Sequence, residues 1–187
     1  MITPDTFREN WCNDEDSLVV FAPESLVDVK IPDSSKTFLM SAGLPESASP
    51  FLDFFAPTGG TLETVSRMWQ ISSEFDRYRV IGSNGSGDPI CIDESCNGQI
   101  VYLNHDNDFC RILLNSSVSQ LAEMLLSFRH LVRETQARNG EDAYLDGNVP
   151  IDLQEWFLTE IDRIDPLAGK PGCFWIDEMK HFQENEI

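Results

Sequence analysis

The chain has 187 residues, 41% of them apolar, which is enough for a core without disulfides and too apolar for wholesale disorder. Thirteen Lys and Arg stand against 32 Asp and Glu, a formal net charge of −19. Such a field repels nucleic acid and anionic membranes and attracts basic partners; at the least it keeps the chain soluble.

In chain order, Thr3-Pro4-Asp5 is a helix start, a capping hydroxyl followed by proline and an acid, with Phe7 and Trp11 on one face. Leu18 to Ala22 reads as a strand. Ser34 to Ala42 is a short helix that Gly43 ends, and Pro45 reinforces the stop. Phe51 to Ala56 is a further strand, and Thr61 to Gln70 is a short helix or irregular. Ile90 and Ile92 alternate with Cys91 and Asp93 as in a strand. Asn97-Gly98 predicts a type I′ hairpin turn, both of whose central residues need positive φ. Strands over Ile100 to Asn104 and Phe109 to Leu114 follow.

Ser117 and Gln120 form a capping box. Leu121, Met124, Leu125, Phe128, Leu131 and Val132 then recur at helical spacing, a stripe suited to lie on the sheet. Asn139-Gly140 closes this helix. Asp152 and Glu155 open another by the same capping logic, with Leu153, Trp156, Phe157, Ile161 and Ile164 on its apolar face and Pro166 at its end. Phe174 to Phe182 suits a docked C-terminal helix. The expected class is α+β: an antiparallel or mixed sheet meander with helices packed around it, in one domain over 1–187.

Three stretches carry a resemblance: FLMSAGLP (Phe38 to Pro45), RVIGSNGSGDPICID (Arg79 to Asp93) and ILLNSSVSQLAEML (Ile112 to Leu125). In their order and spacing they resemble the SUKH superfamily, and within it the fourth group of bacterial immunity proteins. Fungal cell-wall-synthesis regulators and the bacterial Syd protein are relatives. The matching positions are Gly82, Asp93 and Asn115-Ser116-Ser117, with a late Phe174-Trp175. The resemblance covers roughly Thr3 to Phe182. It implies a non-enzymatic α+β protein that neutralises a toxin of a contact-dependent or secreted polymorphic system. It carries over no partner-contact residue.

No motif points to chemistry. Gly82 to Asp88 is glycine-rich but lacks the lysine and hydroxyl of a phosphate loop and leads into a strand, so it reads as a turn. Asn104 to Asp108 offers oxygens and an imidazole, but the glycine and distal glutamate of a calcium loop are missing. Five cysteines without paired C-x-x-C spacing give neither a disulfide framework nor a zinc site, and Cys91 and Cys110 read as buried. The four tryptophans, Trp11, Trp69, Trp156 and Trp175, read as core residues, and His130 as a rim or core group. No catalytic residue, metal or cofactor is expected. There is no signal-peptide pattern and no run near the roughly 18 apolar residues that span a bilayer, so the cytoplasm is the expected compartment.

The expected function is stoichiometric binding of a cognate, basic toxin, such as a nuclease; an intracellular regulatory scaffold that binds host proteins is the alternative. Candidate contact residues are the acids at predicted strand ends: Asp88, Asp93, Glu94, Asp106 and Asp108. The sequence leaves the oligomeric state open.

Overall fold

A computed structural model describes residues 1–12 and 17–183. Helix α1 (Pro4–Trp11) starts where the sequence predicts, with the Thr3 hydroxyl accepting the Thr6 N–H at 3.2 Å. Only β1 (Leu18–Val19) of the expected Leu18 to Ala22 strand forms, because Pro23 opens a 3-10 turn over Pro23–Leu26. Helix α2 spans Asp33–Ser41, one residue ahead of its predicted start. Next, β2 (Leu44–Pro45) pairs antiparallel with β1.

The main sheet comprises β3 (Ser47–Ala48), β4 (Leu52–Phe54), β5 (Tyr78–Asn84), β6 (Pro89–Asp93), β7 (Gln99–Asn104) and β8 (Cys110–Asn115). Their spatial order equals their sequence order and every pairing is antiparallel, so the sheet is a pure meander. Helix α3 (Val65–Trp69) settles the ambiguous 61–70 stretch: Thr64 caps its start and Gln70 ends it in the left-handed region. Three helices follow: α4 (Val118–Asn139), α5 (Ile151–Ile164) and α6 (Phe174–Gln183). Helices after a meander make this an α+β fold.

Alternation along the strands sends side chains to two faces. Ile90, Ile92, Ile100 and Leu114 join the helices in the larger core, where Leu121, Leu125, Phe128, Phe157 and Trp175 are fully buried. The stripe predicted on α4 therefore lies on the sheet. The opposite face carries Tyr78, Val80, Cys91, Val101, Leu103 and Leu113, packed beneath Val65 of α3.

Three local expectations are corrected. The hairpin at Asn97-Gly98 is not a two-residue turn, because Asp93 pairs with Gln99 and five residues intervene. The Asp93 carboxylate accepts the Ser95 N–H and fixes a 3-10 turn over Glu94–Cys96. Asn97 (φ 56°) and Gly98 (φ 77°) then bring the chain back through the left-handed region, as their types favour. The capping box is altered: Ser117 Oγ accepts the Gln120 N–H, and the Gln120 side-chain oxygen accepts the Ser117 hydroxyl at 2.8 Å, while its Nε2 donates to the Ile164 carbonyl at 3.0 Å. The same side chain thus serves its own cap and the end of α5. Helix α5 has Pro150 at its N-cap and no side-chain cap, and Asp152 instead accepts from Arg138 at 2.6 Å.

Ser117→Ala removes the N-cap of α4 and the hydroxyl that the Gln120 side-chain oxygen accepts. It is expected to cost about 1 kcal/mol, read from urea unfolding midpoints at constant slope.

Candidate functional site

The turns of a meander alternate between the two ends of its sheet, which divides the five acids predicted at strand ends. Asp88 precedes β6 and Asp93 closes it, and five steps along the strand separate them by about 17 Å. Asp88 lies with Asp106 and Asp108 at one end, and Asp93 lies with Glu94 at the other.

Asp88 is 5% exposed. Its Oδ1 accepts the His105 backbone N–H at 2.8 Å and lies 2.6 Å from His105 Nδ1, while Oδ2 accepts from Asn84 Nδ2 at 2.9 Å. Burial opposes ionisation, but the bonds from His105 and Asn84 outweigh it and hold this carboxyl below its ordinary value. Asp93 is fully buried and accepts from Ser95 N and Oγ and from Arg111 Nε at 3.0 Å. There too burial opposes ionisation, and the Ser95 and Arg111 bonds win. Glu94 accepts the Lys30 N–H at 2.7 Å and lies 3.1 Å from Arg79 Nε. These three carboxylates hold loops together. Asp106, with an 87% exposed side chain, and Asp108 face solvent.

The loop that carries Asp106 and Asp108 repeats the turn at the other end of β7. A 3-10 turn over His105–Asn107 is followed by two residues at positive φ, Asp108 (49°) and Phe109 (55°). Strand β8 therefore starts at Cys110, not at Phe109. Cys110 is exposed, contrary to expectation, because it sits at the loop end of an edge strand. Phe109 holds the place that Gly98 fills in the earlier loop. A bulky residue there is uncommon and costs conformational energy, so its ring contacts must compensate.

Those contacts form a patch on the outer face of the sheet. The Phe109 ring centroid lies 5.5 Å from Phe75 and 6.2 Å, edge-on, from Trp69, and Phe75 lies 6.1 Å from Tyr78. Trp69, Phe75, Phe109 and Ile71 are each only partly buried, and Met68 is 46% exposed. Exposed Glu74, Asp76 and Asp108 flank these rings in sequence. Sequence reading missed this patch; the signal was the parallel between E-S-C-N-G and H-D-N-D-F, with Phe in the glycine position. Trp11 and Trp175 are fully buried as expected, whereas Trp69 and Trp156 are not, and His130 is exposed with its ring against Trp156 at 4.8 Å.

The model of one family, the SUKH-4 immunity protein, matches residues 9–181. The chain belongs to the SUKH-4 immunity protein family. No curated protein and no solved structure matches it. The residues that carried the resemblance are spent on this SUKH-4 scaffold. A Cβ at Gly82 would lie 2.3 Å from the Asp53 carbonyl oxygen, so only glycine lets β4 and β5 approach there. Asn115 Oδ1 accepts the Trp175 indole N–H at 3.0 Å. Ser116 donates its N–H (2.6 Å) and hydroxyl (2.8 Å) to Asp165, which is 1% exposed. Ser117 caps α4. The Asn-Ser-Ser element thus ties the start of α4 to the end of α5 and to α6, and the outer patch lies outside all of these positions. Among the described residues no group of three or more His, Cys, Asp or Glu is placed to hold a metal, and no helix is long and apolar enough to cross a membrane.

Proposed function

We propose that this SUKH-4 protein neutralises a cognate toxin by stoichiometric binding in the cytoplasm, with no turnover of its own. The proposed contact surface is the outer patch of Trp69, Phe75 and Phe109, with Asp106 and Asp108 on its rim. The half-buried aromatic cluster carries the proposal. Binding energy concentrates in aromatic anchors that a partner can desolvate fully, and three such rings stand together on a surface otherwise rich in charge. The net charge of −19 and the exposed acids beside the rings favour a basic partner, such as a nuclease, and speed its encounter.

The test is co-purification and stopped-flow association with the cognate toxin domain. Trp69→Ala is expected to weaken binding about thirtyfold or more, mainly through faster dissociation. Its far-UV circular dichroism should stay unchanged. Full affinity in a folded Trp69→Ala variant would remove the patch from the interface.

Electrostatic steering gives a separate prediction. The Debye length falls from about 10 Å at 0.1 M salt to about 3 Å at 1 M. The association rate should fall about tenfold or more over that range while dissociation changes less. Converting Asp106 and Asp108 together to Asn should slow association with the fold intact, because amides suit turns. A salt-independent association rate would leave the charge with a role in solubility alone.

A further inference from the structure

The two loops at the ends of β7 share one backbone plan. One joins Asp93 to Gln99 and the other Asn104 to Cys110, and each runs through a 3-10 turn into two residues at positive φ. In the first loop those residues are Asn97 and Gly98, types that adopt such a backbone readily. In the second they are Asp108 and Phe109. Among the described residues, the others outside glycine with positive φ are Gln70 and Asn97, so Phe109 alone is aromatic. Stability by itself favours glycine at this place, as the first loop shows.

The ring contacts of Phe109 offset the strain only in part, because the ring stays partly exposed and rests on Trp69 and Phe75, which are partly exposed themselves. Backbone strain of this kind gathers at sites that act on a ligand or partner. Phe109 is also the central ring of the outer patch. It touches both Trp69 and Phe75, and it directly follows exposed Asp108. Affinity concentrates near the centre of an interface, where the neighbours exclude water.

We propose that Phe109 is the anchor of the toxin interface. Its ring enters an apolar pocket on the toxin, and a lysine or arginine at the margin of that pocket faces Asp108. The left-handed backbone at 109 holds the ring on the outer face of the sheet, and burial by the partner supplies the contacts that the free chain lacks. The role of Phe109 rests on the toxin-binding reading, and the experiment separates the two.

Thermal unfolding and toxin binding are measured for Phe109→Gly, Phe109→Ala and Phe109→Asn beside Trp69→Ala, with the toxin domain that co-purifies with this chain as the probe. Phe109→Gly should melt about 2–4 °C above Phe109→Ala, because glycine adopts a positive φ freely and alanine does not. Phe109→Asn should also melt above Phe109→Ala. All three should weaken the complex about thirtyfold or more, mainly through faster dissociation. Stability regained without affinity is the mark of a binding role; a residue kept for the fold alone would leave affinity unchanged in every folded variant. Folded Phe109→Gly that binds as tightly as the unaltered chain overturns the proposal. Weak binding by Trp69→Ala in that case keeps the patch as the interface and removes only Phe109 as its anchor, whereas full affinity in both removes the patch as well. Phe109→Gly melting no higher than Phe109→Ala would show that the backbone at 109 is unstrained, and it overturns the proposal too.

Discussion

Phe128→Ala is expected to lower the free energy of unfolding by about 3–5 kcal/mol, the range for emptying a phenylalanine site in a core. Phe128 lies mid-way along α4 and is fully buried. Its ring is 5.3 Å from Trp175, 5.6 Å from Phe51, 5.7 Å from Tyr144 and 6.2 Å from Phe157. It therefore joins α4 to α5, to α6 and to two loops, and no single neighbour can move to fill the space. Leu125→Ala, one turn earlier and also fully buried, should cost about 2–5 kcal/mol. Urea unfolding with a shared slope is the measurement. A loss under about 1 kcal/mol for Phe128→Ala would show that α4 does not pack as described.

Asp93→Ala should cost about 1–3 kcal/mol by a different route, because Arg111 stays partly exposed and bonded to Gln99. The Asp93 carboxylate is fully buried against Arg111 and also fixes the loop after β6 through Ser95. Its removal leaves Arg111 facing an emptied polar site and the Ser95 N–H without its acceptor. Asp93→Asn keeps an acceptor for Ser95 and should cost less.

The same carboxylate gives a pH dependence. The folded state holds the Asp93 and Asp88 carboxyls below their ordinary value. Their stabilisation is therefore full above the unfolded-state value of about 3.9 and is lost as pH falls through the lower folded-state values. Glu178 acts in the opposite sense. Burial raises its carboxyl, so its contribution is full below the ordinary glutamate value and fades as pH rises through the raised one. Stability against pH should fall steeply on the acid side below about 4, and Asp93→Asn should flatten that limb. An acid limb unchanged in Asp93→Asn would mean that other carboxylates govern it.

Much of the fold was legible because its signals are local. Thr3, Ser117 and Gly140 mark helix ends through hydrogen bonds to residues three or four positions away, and the α4 stripe and the alternation around Ile90 and Ile92 state which side is apolar. The misreadings fall where a distant group intervenes. Gln120 accepts the Ser117 hydroxyl, not the backbone N–H of its cap, and donates to Ile164, forty-four positions on. The turn after Asp93 lengthens because a side chain, not the Asn-Gly pair alone, sets its geometry. The Leu18 strand is cut to the two residues that find a partner in β2.

The candidate site was less legible, because exposure is a property of the assembled sheet. An acid beside a turn reads alike whether it caps a neighbouring loop, as Asp88 does for His105, or faces water, as Asp106 does. What the sequence determined by itself was the family, the α+β class and the acidic field, since motif order, periodicity and charge survive without coordinates. The tertiary structure alone decided that three of the five expected contact acids hold the scaffold, and that Trp69, Phe75 and Phe109 meet on the outer face. The reason is physical: these rings lie up to forty positions apart in the chain, and only the antiparallel return of β5 to β8 brings them within van der Waals reach.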